Sequence, residues 1–103
     1  MQLTKNTDRM FCLIYEEYLN RKKMGYVEKS AISFEHPEAL QNQFLQGFHT
    51  DDIHSAVHEL SRYNLVRRFV NDSFTLSNGG IVYMENRFKN GIKEVLEYIS
   101  LIK

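Results

Sequence analysis

Residues 50–80, TDDIHSAVHELSRYNLVRRFVNDSFTLSNGG, change their hydrophobic period twice, and that change decides the fold. Ile53, Ala56, Val57 and Leu60 recur at steps of three and four residues, the spacing of a helix that buries one face. Thr50 stands where an N-cap belongs, and Asp51 and Asp52 fill the first turn, where the helix dipole favours carboxylates. Asn64 suits the left-handed C-cap conformation. The period then shortens. LVRRFV (65–70) and SFTLS (73–77) are rich in β-formers and flank Asn71–Asp72. That pair suits a tight two-residue turn with Val70 opposite Ser73 and Phe69 opposite Phe74. Ser77 then caps another helix. The stretch predicts a helix over 50–63, a β-hairpin, and a helix from 78.

Upstream, apolar residues at 10, 11, 14, 15 and 18 predict a helix over 7–24, with Thr7 as N-cap, Asp8 in the first turn, Arg21, Lys22 and Lys23 in the last turn and Gly25 as the stop. Residues 26–36 are mixed, with Ala31–Phe34 as a short strand candidate. Pro37 fits the first turn of a helix that runs to about Gln46, buries Leu40 with Phe44 or Leu45, and closes at Gly47. Downstream, Ile81, Met84, Phe88, Ile92, Val95, Ile99 and Ile102 continue a helical stripe over 78–103, interrupted at Asn90–Gly91.

This order (helix, short strand, helix, turn, helix, hairpin, long helix) resembles the winged helix-turn-helix superfamily. The specific part is HELSRYNLVRRF, a helix leading through a Leu-Val pair into the hairpin, followed by the exit FTLSNGG. The expected fold is α+β, mainly α: a three-helix core plus a β-hairpin wing, with a long C-terminal helix. Residues 1–77 would form the winged-helix part and 78–103 the C-terminal helix, within a single domain. The resemblance implies a DNA-binding transcriptional regulator, often dimeric, with the 50–63 helix reading bases and the hairpin lying over phosphates.

Composition sets bounds on that reading. The chain has 103 residues, and thirteen Lys and Arg balance thirteen Asp and Glu, so no strongly basic surplus argues for nucleic acid. One cysteine, Cys12, excludes an internal disulfide framework and a Cys-cluster metal site. No apolar run approaches the roughly 18 residues that span a bilayer, and MQLTKNTDRM lacks a signal-peptide core. A soluble, cytoplasmic protein without membrane partners is the expectation.

Apart from its buried stripe, the 50–63 helix offers Asp51, Asp52, His54, Ser55, His58, Glu59 and Arg62 outward. Ser55, His58 and Arg62 are the candidate base contacts, and Arg67, Arg68 and Asn71 the candidate backbone contacts. Asp51 and Asp52 oppose this, because carboxylates at the leading end of such a helix meet phosphate repulsion; they also simply complement the dipole. Arg67 and Arg68 equally fit charges that protect an exposed edge strand. A stripe of Phe88, Ile92, Val95, Leu96, Ile99 and Ile102 on a helix of about 25 residues would outrun a small core. Pairing with a second copy is the expected solution; folding back after Gly91 onto the first helix is the alternative. A protein-interaction module that keeps the winged fold without DNA is the second functional reading.

His54 and His58 sit four residues apart, a spacing open to a metal ion, but Ser55 stands where a zinc-protease motif needs Glu. The expectation is no metal and no cofactor, with exposed and pH-responsive histidines. Cys12 reads as a small core residue. No phosphate-binding loop or nucleophile–base arrangement is visible, so an enzyme is not expected.

Overall fold

A computed structural model describes residues 1–102. Helix α1 (Lys5–Lys23) leads through the one-turn helix α2 (Glu28–Ala31) into strand β1 (Ser33–Phe34). Helices α3 (Pro37–Gln43) and α4 (Thr50–Arg62) follow, then strands β2 (Val66–Arg68) and β3 (Phe74–Leu76), and finally α5 (Asn78–Arg87) and α6 (Ile92–Ile102). The sheet is antiparallel in the order β1-β3-β2, so the hairpin's second strand lies between its first strand and the early strand β1. The mainly helical α+β architecture with one small sheet is the coarse fold class the sequence predicts, and it is compatible with a winged helix.

Helix α1 lies at the centre, packed against α2, α4 and α6. Its residues Met10, Phe11, Ile14 and Tyr15 are buried, as are Ile53, Ala56, Val57 and Leu60 from α4. Cys12 is fully buried, and desolvation pushes its thiol up to about 12, so it stays protonated and inert at neutral pH. Asn64 takes the left-handed conformation (φ 59°), as the sequence predicts, and Ser77 caps α5 by accepting from the Gly80 amide at 2.9 Å.

Several local readings are corrected. Helix α1 starts earlier, with Thr4 at its N-cap; Thr7 lies inside the helix, buried. His49, not Thr50, is the N-cap of α4, and α3 ends at Gln43 rather than Gln46. Glu59 is not on the outward face. It is buried and accepts from the Thr4 amide at 2.7 Å and the Thr7 hydroxyl at 2.8 Å, stapling the start of α1 to α4. Burial opposes ionisation of its carboxyl, but these hydrogen bonds outweigh burial and hold it below the usual range.

The hairpin register also differs from the two-residue expectation. Arg68 pairs with Phe74 and Arg67 with Thr75, so Phe69 does not face Phe74. The Asp72 amide donates to the Phe69 carbonyl at 3.0 Å, and the Phe69 amide to the Ser73 carbonyl at 2.8 Å. Asp72 has φ 63°. This is a three-residue loop closed by a left-handed bulge residue, and the extra residue moves the pairing by one.

The C-terminal segment is two helices, not one. The break falls at Phe88–Gly91, where Gly91 has φ +71°, a backbone state that glycine adopts without steric penalty. Helix α6 folds back onto α1, so Phe88, Val95 and Ile99 are buried in the chain's own core rather than left as an uncovered stripe. Arg87 secures the fold-back: its guanidinium forks onto Asp8 at 2.5 and 3.1 Å, and Tyr98 donates to the same carboxylate at 3.0 Å. Ile92 and Ile102 are half-buried, leaving Leu96 and Leu101 as the exposed apolar residues of α6. No described helix is long and apolar enough to cross a membrane.

Candidate nucleic-acid interface

The exposed side chains of α4 and the hairpin lie side by side, joined by one carboxylate. Asp72 is only 7% exposed although it sits in a hairpin loop. Its Oδ2 lies 2.6 Å from His54 Nδ1 and 3.1 Å from His58 Nε2, while Arg68 donates to Oδ1 at 3.0 Å. His54 Nε2 in turn meets Glu38 Oε2 of α3 at 3.0 Å, and His36 Nδ1 lies 3.4 Å from the other oxygen of Glu38. A single polar chain thus runs from α3 through α4 to the hairpin tip.

The sequence pointed to His54 and His58 as a pair four residues apart, and the structure turns both onto Asp72. Among the described residues no group of three or more His, Cys, Asp and Glu is set to hold a metal ion. Both ring nitrogens of His54 face carboxylate oxygens. A neutral imidazole has one donor and one acceptor, so only the imidazolium satisfies both contacts. Glu38 first, and then Asp72, accordingly raise the His54 pKa above its ordinary value. Burial disfavours the Asp72 anion, but the bonds from His54, Arg68 and His58 prevail and lower its pKa. The His54 bond likewise lowers Glu38.

These directions fix a pH dependence. His54, raised in the folded state, contributes stability that is full below the unfolded histidine value near 6.5 and lost as pH rises through the folded value. Asp72 and Glu38, lowered, contribute above the unfolded values of 3.8 and 4.5 and lose that contribution as pH falls through their folded values. The junction between hairpin and helix is therefore tightest between about pH 4.5 and 6.5. Hydrogen exchange of the Asp72 and Phe69 amides should slow on going from pH 8 to pH 6, after correction for intrinsic rates; equal protection at both would contradict a charged His54.

The other predicted contacts divide. Ser55, Arg62, Arg67 and Asn71 are exposed. Arg67 pairs with no carboxylate among the described residues and lies 5.6 Å from the Phe69 ring. His58 and Arg68 are exposed but partly committed to Asp72, and Asn71 accepts from the Ser73 amide through its side chain at 3.1 Å. Two of the three cations ending α1, Arg21 and Lys22, serve the chain itself. Arg21 bonds Glu17 at 3.0 Å and the Ser33 carbonyl at 2.6 Å and lies over Phe34, and Lys22 bonds Glu28 at 2.8 Å.

Asp72 as the hub, and Glu38 as its far end, were not found from sequence. The visible signal was an aspartate at a hairpin tip within reach of two histidines on the preceding helix. No protein-family model, no curated protein and no solved structure matches this chain.

Proposed function

We propose that this chain is a small winged-helix DNA-binding protein and a transcriptional regulator, with α4 entering the major groove and the β2–β3 hairpin as its wing. The observation that carries the reading is the Asp72 junction. It holds the hairpin tip against the exposed side of α4, so Ser55, His58 and Arg62 stand on one pre-organised unit with Arg67, Arg68 and Asn71. Such rigidity lowers the ordering entropy that a binding surface must otherwise lose. The sheet order β1-β3-β2, which ties the hairpin to the body of the domain, supports the same reading.

Charge limits the affinity. Five carboxylates (Glu38, Asp51, Asp52, Glu59, Asp72) stand in α3, α4 and the hairpin against three arginines (Arg62, Arg67, Arg68). Two subunits acting together would compensate, and a homodimer belongs to the proposal. Leu96 and Leu101, 48% and 83% exposed, are the apolar side chains of α6 left to form it. The molar mass in solution, with and without Leu96→Glu and Leu101→Glu, checks that part.

The test of DNA binding is a gel-shift screen of the wild-type protein against DNA flanking its own gene, at two salt concentrations. Arg67→Ala should weaken binding to every duplex bound and reduce the slope of log affinity against log salt by about 1. An unchanged slope removes the hairpin from the interface.

A protein-interaction module is the second reading, and the hairpin tip favours it. Val70 is fully exposed and Phe69 is 43% exposed, apolar surface that a phosphate backbone does not recognise. Failure of every duplex to bind at low salt would leave that reading in place.

A further inference from the structure

A cleft of about 470 Å³ opens between α1, the α3–α4 connection, the start of α4 and α6. Its volume falls within the range of small-molecule pockets, roughly 300–1,000 Å³. Leu13, Phe48, Ile99 and Ile102 give it apolar walls, and Arg9 and Asp52 line it with opposite charges. Arg9 lies 5.9 Å from the Phe48 ring centre, and among the described residues it meets no carboxylate within ion-pair distance. Asp52 is likewise without an ion pair among them, and the two do not bridge each other across the cleft. The wall that carries Phe48 is fixed, because the Gln41 side chain donates to the Phe48 carbonyl at 2.9 Å.

We infer that this cleft is a binding site for a small zwitterion with an apolar body, of the α-amino-acid class. A carboxylate on the ligand answers Arg9, with the fork geometry that guanidinium offers to carboxylates. An ammonium answers Asp52. The apolar side chain lies against Leu13, Ile99 and Ile102. A plain organic acid would leave Asp52 facing the ligand unpaired and repelling its charge; a plain amine would do the same with Arg9. Only a ligand carrying both charges answers Arg9 and Asp52 together. Because Asp52 belongs to the first turn of α4, an occupant touches the helix proposed to read DNA, but the residues of the cleft, not DNA binding, carry the site.

The test uses the full chain, amide chemical shifts and the thermal midpoint, with four probes: L-phenylalanine, L-leucine, 3-phenylpropionate and phenethylamine, each up to about 10 mM. The two amino acids should raise the midpoint, as any ligand of the folded state does, and should shift amides of residues 9–13, 48–52 and 99–102. 3-Phenylpropionate and phenethylamine should bind at least about tenfold more weakly than L-phenylalanine, since each leaves one charge unanswered. Arg9→Met, which keeps a stem to pack on Phe48, and Asp52→Asn should each weaken amino-acid binding about tenfold or more. No response to any probe overturns the inference. So does 3-phenylpropionate or phenethylamine binding as tightly as L-phenylalanine, or binding unaffected by both substitutions.

Discussion

Gly80→Ala is expected to destabilise the fold by about 3 kcal/mol or more, the upper range for forcing an atom into a packed interior. Gly80 sits in the first turn of α5, fully inside the corner where α4 ends and β2 begins. A Cβ there would collide with the Leu65 carbonyl oxygen and lie 3.0 Å from its carbon and 3.3 Å from its Cα. All three are backbone atoms, so no side chain can swing aside. Relief requires α5 to move off the Leu65 backbone, which breaks the Ser77 cap on the Gly80 amide and the bond from the Ser77 amide to Leu65. At this size the loss corresponds to a thermal midpoint lower by roughly 12–24 °C. Gly79→Ala is the control. Its Cβ would lie 3.3 Å from the Asn64 carbonyl oxygen, a crowding that the helix propensity of alanine, up to about 1 kcal/mol, roughly offsets. Equal midpoints for the two variants would show that α5 does not rest on Leu65 in solution.

Asp72→Ala should lower stability by about 2–3 kcal/mol, from two separate causes. Alanine at φ 63° adopts a left-handed backbone that costs about 1–2 kcal/mol. The remainder is the loss of hydrogen bonds to His54, His58 and Arg68, discounted because those partners are a third to a half exposed. Asp72→Asn separates the causes, since asparagine tolerates the left-handed state and retains one acceptor oxygen; it should cost about 1 kcal/mol. Asp72→Ala should also erase the pH dependence of hairpin protection and weaken DNA binding by freeing the tip, despite removing a negative charge. Denaturant unfolding of both variants, with exchange at the Phe69 amide, checks this. A variant as stable as the parent would mean that Asp72 does not tie hairpin to helix.

Much of this fold is written locally. The α4 stripe, the Asn64 turn, the β-rich pair of segments and the Ser77 cap each depend on neighbours a few residues away, and each is found where the sequence predicts. The hairpin register is not local in that sense. Val70–Asp72 carries no glycine, and whether Asp72 takes the left-handed state depends on what its carboxylate meets, namely histidines 14 and 18 residues earlier. Glu59 is the same case. Its position on the helix wheel borders the buried stripe, and its burial is made possible by Thr4 and Thr7, more than fifty residues away. The end of α5 was half legible. Asn90–Gly91 marked the weak point, but the fold-back needs Asp8 to receive Arg87 and Tyr98, and no spacing rule reveals that. Of the candidate interface, the residue types were legible and their partners were not.

The fold-back of α6 has a consequence for how the chain is made. Asp8 receives Tyr98 across 90 positions, and the buried Val95 and Ile99 complete the cover over α1. At synthesis rates of roughly 5–20 residues per second, several seconds pass between the appearance of α1 and that of α6. During that interval part of the apolar face of α1 has no partner within its own chain. Contacts this distant in sequence also form late, because closing the long loop is entropically unfavourable until the rest of the core is in place. The nascent chain therefore passes through a stage in which α1 is open to chaperones, or to the α1 of another unfinished copy, before the last helix covers it.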